Sequence, residues 1–182
     1  MPGFVIVSGL PASGKTTVAS AIAKALDLPF FDKDSFLEEL FQVEGVGDPN
    51  WRRQLSRRAD ERFQRVARAE RTAVLTSWWK HPASALDSGT PTGWLEAPPG
   101  VAIEVHCECP VSVAANRFLA RRRHPGHLDE RWSRESLVAM LNEQQNCGPL
   151  FPAKAVTVNT EAHLELSALL GAVEAALVAS NA

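Results

Sequence analysis

The stretch Gly9-Leu10-Pro11-Ala12-Ser13-Gly14-Lys15-Thr16-Thr17 constrains this chain more than any other. It fits G-x-x-x-x-G-K-[ST], and its flanks decide whether the match has meaning. Phe4-Val5-Ile6-Val7 before it reads as a buried strand, and Val18 to Leu26 after it reads as a helix. A loop between two such elements wraps its backbone N–H groups around a polyphosphate at the positive end of the helix. Gly9, Ala12, Ser13, Gly14, Lys15, Thr16 and Thr17 are therefore the expected nucleotide cradle. Lys15 is expected to reach the β- and γ-phosphates, and the Thr16 hydroxyl to ligate Mg²⁺.

The rest of the chain reads as strands alternating with helices. Leu28 to Phe31 is a short second strand ending at Asp32, followed by a helix over Ser35–Val43 and a break at Gly45–Pro49. A long helix runs from Trp51 to Arg71. Ala73–Thr76 and Val101–Cys107 are strands three and four. Helices follow over Pro110–Arg122 and Arg134–Asn146, and Ala155–Asn159 is a fifth strand. Leu164 to Val178 places Leu166, Leu169, Leu170, Val173 and Leu177 at helical spacing and reads as a packing helix. This alternation means an α/β fold with a parallel sheet covered on both faces, whose ligands bind at the carboxyl ends of the strands. That topology gathers Gly9–Thr16, Asp32–Asp34, Thr76–Lys80 and Glu108–Pro110 around one crevice.

With 182 residues, 45% of them hydrophobic, the chain suffices for one domain with a full core, expected over 1–182. A net charge of −2 argues against a general nucleic-acid or membrane-surface binder. Three cysteines fit a reducing, cytoplasmic compartment rather than a disulfide framework. His106-Cys107-Glu108-Cys109 has no zinc spacing and reads as a strand end. The N-terminus lacks the basic region of a signal peptide, and no apolar run approaches the ~20 residues of a membrane span.

The remaining chemistry is carried by acids and arginines. Asp32-Lys33-Asp34 ends the second strand, where a carboxylate faces the γ-phosphate. Asp34 fits either a helix N-cap or a general base; beside a P-loop and paired with Asp32, it reads as the base. Asp32 reads as a supporter of Mg²⁺. Residues 121–134 are rich in Arg and His around a Pro125-Gly126 turn and read as a lid. Arg117 and Arg121 are four apart, hence on one helix face, and read as the cations that neutralise the transferring phosphoryl. Residues 80–100, with four prolines and three glycines, read as an acceptor-side insertion. Trp78, Trp79 and Trp94 fit either core packing or an aromatic wall for an acceptor.

These residues resemble the small-molecule kinases of the P-loop superfamily, the group of shikimate kinase, gluconate kinase and chloramphenicol phosphotransferase. Beyond the P-loop, Phe31 to Glu38 is similar to their Asp-x-Asp segment, and Cys109-Pro110 followed by Arg117 and Arg121 looks like their strand-four turn and lid arginines. Val156 to Thr160 is similar to their last strand, whose following loop lies near the adenine. The resemblance implies a three-layer α/β/α sandwich with five parallel strands in the order 2-3-1-4-5. It also implies ATP with Mg²⁺, a small-molecule hydroxyl acceptor, and a monomer or homodimer. A polynucleotide 5′-hydroxyl kinase and a nucleotide-binding regulatory module are the alternatives. One departure stands out: strand three ends Leu75-Thr76-Ser77-Trp78-Trp79, with no carboxylate to position the metal.

Overall fold

Along the first strand, β1 (Phe4–Gly9), Val5 and Val7 face one side and Phe4 and Ile6 the other, and all four are buried. A strand apolar on both faces belongs in the middle of a covered parallel sheet. The computed structural model, which describes residues 3–161 and 165–179, puts it there. β1 pairs in parallel with β3 (Ala73–Thr76) and β4 (Val101–Glu108); β2 (Phe30–Asp32) and β5 (Ala155–Asn159) complete the order 2-3-1-4-5. This is the expected order.

Helices cover both faces. α1 (Lys15–Leu26) and α6 (Leu166–Ala179) pack Val18, Ile22, Leu169 and Val173 onto Val5, Val7 and Val105. On the other face, α3 (Pro49–Ala69) brings Phe63 and Ala67 against Phe4, Ile6 and Leu75. α2 (Lys33–Glu44) packs Leu37, Leu40 and Phe41 on α3, and α4 (Val111–Ala120) packs on α5 (Arg134–Gln145). Leu164, placed in the last helix by sequence, lies outside the described residues. Among those residues, no helix is long and apolar enough to cross a membrane.

Residues 80–100 are fastened at both ends. Lys80 N donates to Thr90 O (2.9 Å) and Thr90 N to Trp78 O (2.7 Å). The turn Gly93–Glu96 then buries Trp94 and Leu95 in the α3-side core. Trp79 and Trp94 pack on Phe63 with ring centroids 5.9 and 6.1 Å away, and Trp79 Nε1 donates to Val7 O (3.0 Å). The aromatic-wall reading therefore fails for these two tryptophans, which are core. Trp78 alone of the three lines the crevice.

That face also carries a buried charge. Glu104 on β4, fully buried, accepts from Ser8 Oγ and from the backbone N–H groups of Leu150 (2.9 Å) and Phe151 (2.6 Å). It clasps the chain that returns toward β5, and no sequence pattern announces it.

Candidate active site

The P-loop turn is set by backbone conformation. Gly9 and Gly14 have φ of +127° and +91°, and Ala12 sits at +62°. A Cβ on Gly9 would fall 2.3 Å from Cys107 O, so this glycine is needed for packing against β4 as well as for its angle. Gly14 is the N-cap of α1 and supplies no side-chain cap, which leaves the first N–H groups of the helix free for an anion. Lys15 curls back over the loop, with Nζ donating to the carbonyls of Gly9 (3.1 Å) and Leu10 (2.7 Å). Burial pushes its ammonium down to about 8, against the opposing pull of Cys107, Asp34 and Asp32. Ser13 N donates to Leu10 O, while its buried Oγ has no partner among the described residues. A turn with uncapped N–H groups, an ammonium and an orphaned hydroxyl fits a phosphate chain.

Asp32 takes the capping role that its neighbour could also have filled. Its Oδ1 accepts from Asp34 N (3.0 Å), so Asp32 caps α2, and the helix begins at Lys33 rather than at Ser35. Asp34 is thereby relieved of capping. Asp32 Oδ2 accepts from Thr16 Oγ1 (2.9 Å). Burial, then the charge on Asp34, raises the Asp32 carboxyl above its ordinary value, a strain that a cation would relieve. One hydroxyl and one carboxylate, with room for water, is a donor set that fits Mg²⁺.

For Asp34, burial alone would raise the carboxyl. Arg123, His127, Lys33 and Lys15 overcome that and hold it below its ordinary value, so it is ionised. Its side chain remains 47% exposed and receives the Arg123 guanidinium.

The arginines are arranged differently from the sequence expectation. α4 ends at Ala120 and Arg121 is extended, with ψ of 147°. Arg117 and Arg121 therefore do not share a helix face. Arg117 donates to Thr160 O (3.1 Å), beside the P-loop, where Gly14 would bring a Cβ within 3.5 Å of Thr160. Arg121 donates to Asp129 (3.1 Å) and lies 4.0 Å from the Phe118 ring centroid.

Residues 121–134 are drawn onto α2 and α3. His127 Nε2 donates to Glu38 (2.8 Å), and Arg52 Nε on α3 donates to His127 O (3.1 Å). His124 stacks on Phe41 at 5.1 Å. Burial, then Arg123, holds the His127 imidazole below its ordinary value. The histidines thus anchor this segment to α2 and α3.

No carboxylate stands at the end of β3, and a buried chain of hydrogen bonds runs behind it to α3. Thr90 Oγ1 donates to Asp60 on α3 (2.7 Å), which leaves Ser77 Oγ to donate to Thr90 (2.6 Å). Asp60 lies 3.8 Å from Lys33 Nζ. Ser77 lines the crevice with its one hydroxyl proton committed inward to Thr90.

The P-loop, the end of β2, residues 76–78, and the lid segment border one crevice of about 650 Å³. Of the residues expected from sequence, Ala12, Gly14, Lys15, Thr16, Thr17, Asp32, Asp34, Arg117 and Arg121 line it. Gly9 instead borders a smaller cavity of about 80 Å³ behind the loop, and Ser13 is buried beneath the turn. Arg123 and His127, both within the stretch read as a lid, also line the crevice, as does Arg52, which did not stand out from the other arginines of α3. Only the third dimension separates Arg52, facing the crevice, from Arg58 and Arg62, which pair with Glu44 and Glu39 at the surface.

A P-loop at the end of β1, this strand order and a cation-rich crevice at the strand ends define a P-loop kinase fold. Residues 4–146 match the AAA domain family, and the chain belongs to that family. It is also similar to the crystal structure of a provisionally assigned kinase from Chloroflexus aurantiacus j-10-fl. The two are 27% identical with a TM-score of 0.77, over 97% of this chain and 98% of that one. A gluconokinase from Sinorhizobium meliloti 1021 shares the fold at 22% identity and TM-score 0.54, covering 98% and 93% of the two chains. A shikimate kinase from Bacteroides thetaiotaomicron does so at 19% and 0.55, covering 96% of each. No curated protein matches the sequence significantly.

Proposed function

We propose that this protein transfers the γ-phosphoryl group of ATP to a hydroxyl of a small anionic metabolite. The observation that carries the reading is the convergence of Asp34, Lys15 and Thr16 on one crevice, with Asp34 freed from capping by Asp32. In this reading the P-loop N–H groups and Lys15 bind the phosphates, and Arg117 and Arg121 stabilise the charge that develops on the transferring group. Thr16 and Asp32 would hold Mg²⁺, whose charge would offset that of the phosphates. Asp34 accepts the proton of the acceptor hydroxyl as its oxygen bonds to phosphorus.

The charge balance of the crevice supports an anionic acceptor. Beyond the cations assigned to the nucleotide, Arg52, Arg53, Arg123 and Arg131 line it, against Asp34 and Asp129. Gluconokinase and shikimate kinase, two proteins of the same fold, are named for acids. A polynucleotide acceptor is less well supported, because Arg58 and Arg62 on the outer face of α3 are already paired with acids. The catalytic unit is 1–182, with 121–134 as its lid and 80–100 as an insertion on the acceptor side. Three free cysteines fit a cytoplasmic protein.

An ATP-consumption screen over sugar acids, neutral sugars, nucleosides and phenicol- or aminoglycoside-type antibiotics tests this, with Lys15→Ala as the blank. Turnover with sugar acids or other hydroxy acids is expected. Turnover with neutral antibiotics alone would overturn the anionic assignment.

A further inference from the structure

Beyond the P-loop, the crevice is lined by two groups of side chains of opposite character. Arg52, Arg123 and Arg131 stand with Asp34 in one. Trp78, Leu86, Trp132 and Met140 make up the other. These four come from separate segments: the chain leaving β3, the 80–100 insertion, the end of the lid segment, and α5. All of them pack in the apolar cluster that also takes in Leu10 and Ala12 of the P-loop. Met140 is buried there, whereas Trp78, Leu86 and Trp132 are only half-buried. Leu86 reaches inward although Ala85 and Asp87 on either side of it are exposed. Apolar surface left bare in a crevice is unfavourable in water and characterises a wall that a ligand covers.

The lid segment ties the two groups together. Its Arg123 and His127 sit on α2, while its Trp132 sits on the cluster between α4 and α5. A ligand lying across the crevice meets guanidinium groups and Asp34 at one end, and indole, leucine and methionine at the other. A wholly polar acid leaves the second end wet. We infer that the acceptor is amphipathic, an inference that rests on the kinase reading above and narrows its acceptor class. It is a hydroxy acid whose carboxylate and hydroxyl lie among the arginines and Asp34, and whose aromatic body lies on Trp78, Leu86, Trp132 and Met140. Indole rings favour offset or edge contacts with another ring, and a methionine side chain adapts to an irregular apolar shape. Guanidinium groups match the carboxylate through paired N–H donors.

Three probes separate the two ends. Lactate carries the carboxylate and the hydroxyl, 3-phenyllactate adds a phenyl ring to that skeleton, and 1-phenyl-2-propanol keeps ring and hydroxyl without the carboxylate. Their affinities for the protein saturated with MgADP are measured by calorimetry, for the wild type, Trp78→Ala and Leu86→Ala. The wild type is expected to bind 3-phenyllactate at least about tenfold more tightly than either other probe, a modest return for an apolar group entering an apolar pocket. The preference for 3-phenyllactate over lactate is expected to shrink about threefold in Leu86→Ala and further in Trp78→Ala. Leu86, half-buried in a loop, keeps the test decisive should Trp78→Ala fail to fold. In the wild type, 3-phenyllactate binding no more tightly than lactate, or not at all, overturns the amphipathic acceptor and leaves the kinase reading standing. An undiminished preference in Leu86→Ala also overturns it, as does a loss of MgADP affinity equal to the loss for 3-phenyllactate, which would give the apolar wall to the nucleotide base. Failure of the wild-type protein to bind MgADP overturns both.

Discussion

On the P-loop side of the crevice, the ligand-facing groups are backbone N–H groups, the Thr16 hydroxyl and one ammonium, set within nine consecutive residues by the angles of Gly9, Ala12 and Gly14. On the opposite side every charged group is a side chain, and the set comes from three separate segments: Asp34 on α2, Arg52 on α3, and Arg123 with His127 between α4 and α5. The first wall is local and held by covalent geometry. The second exists only when α2, α3 and residues 121–134 are packed together, and its charges hold one another. The nucleotide wall is thus suited to a fixed ligand, and the acceptor wall to regulation and to divergence of substrate.

The largest expected effect separates the two walls. Asp34→Asn should lower phosphoryl transfer by about 10²- to 10⁴-fold, the usual worth of a general base, while MgATP affinity measured by calorimetry stays near wild type. Lys15→Ala should instead weaken MgATP binding itself. Equal loss of nucleotide affinity in both variants would mean that the walls are not independent.

A second pair of buried or half-buried acids sharpens the contrast. Glu104 lies away from the crevice and satisfies Ser8 and two backbone N–H groups, so Glu104→Ala should cost at least about 2 kcal/mol in urea unfolding. Asp34→Asn, removing a half-exposed partner, should change stability by less than about 1 kcal/mol. The acid that matters for stability and the acid that matters for turnover are then different residues.

The smallest effect is a proton. Above pH 8 the buried Lys15 of the free protein loses its charge, and a bound phosphate restores it. ATP binding at pH 8.5 to 9 should therefore take up as much as one proton. Titrations in two buffers of different ionisation enthalpy would reveal this uptake, and identical heats in both would contradict it. At pH 7, where the ammonium is already formed, the difference should nearly vanish.

The same contrast explains what was legible in the sequence. The strands and the position of the loop followed from apolar runs and from a nine-residue motif whose geometry is contiguous, and the strand order from the family resemblance. The end of α4 differs from the sequence expectation because Leu119, Ala120, Arg121 and Arg122 are all good helix formers, while in the structure Arg121 is extended and pairs with Asp129. Trp79 and Trp94 differ from Trp78 in packing, not in type. Arg123 was one arginine among many until folding set it on Asp34. The cap on α2 was ambiguous because Asp32 and Asp34 are both good caps, and the choice depends on where β2 releases the chain.

The most direct measurement is transfer of label from [γ-³²P]ATP to a panel of hydroxy acids by the wild-type protein and by Asp34→Asn. The account predicts a labelled organic phosphate with the wild-type protein, and its near-complete loss in Asp34→Asn with ATP still bound. Label appearing only as inorganic phosphate, or transfer by Asp34→Asn at the wild-type rate, would contradict it.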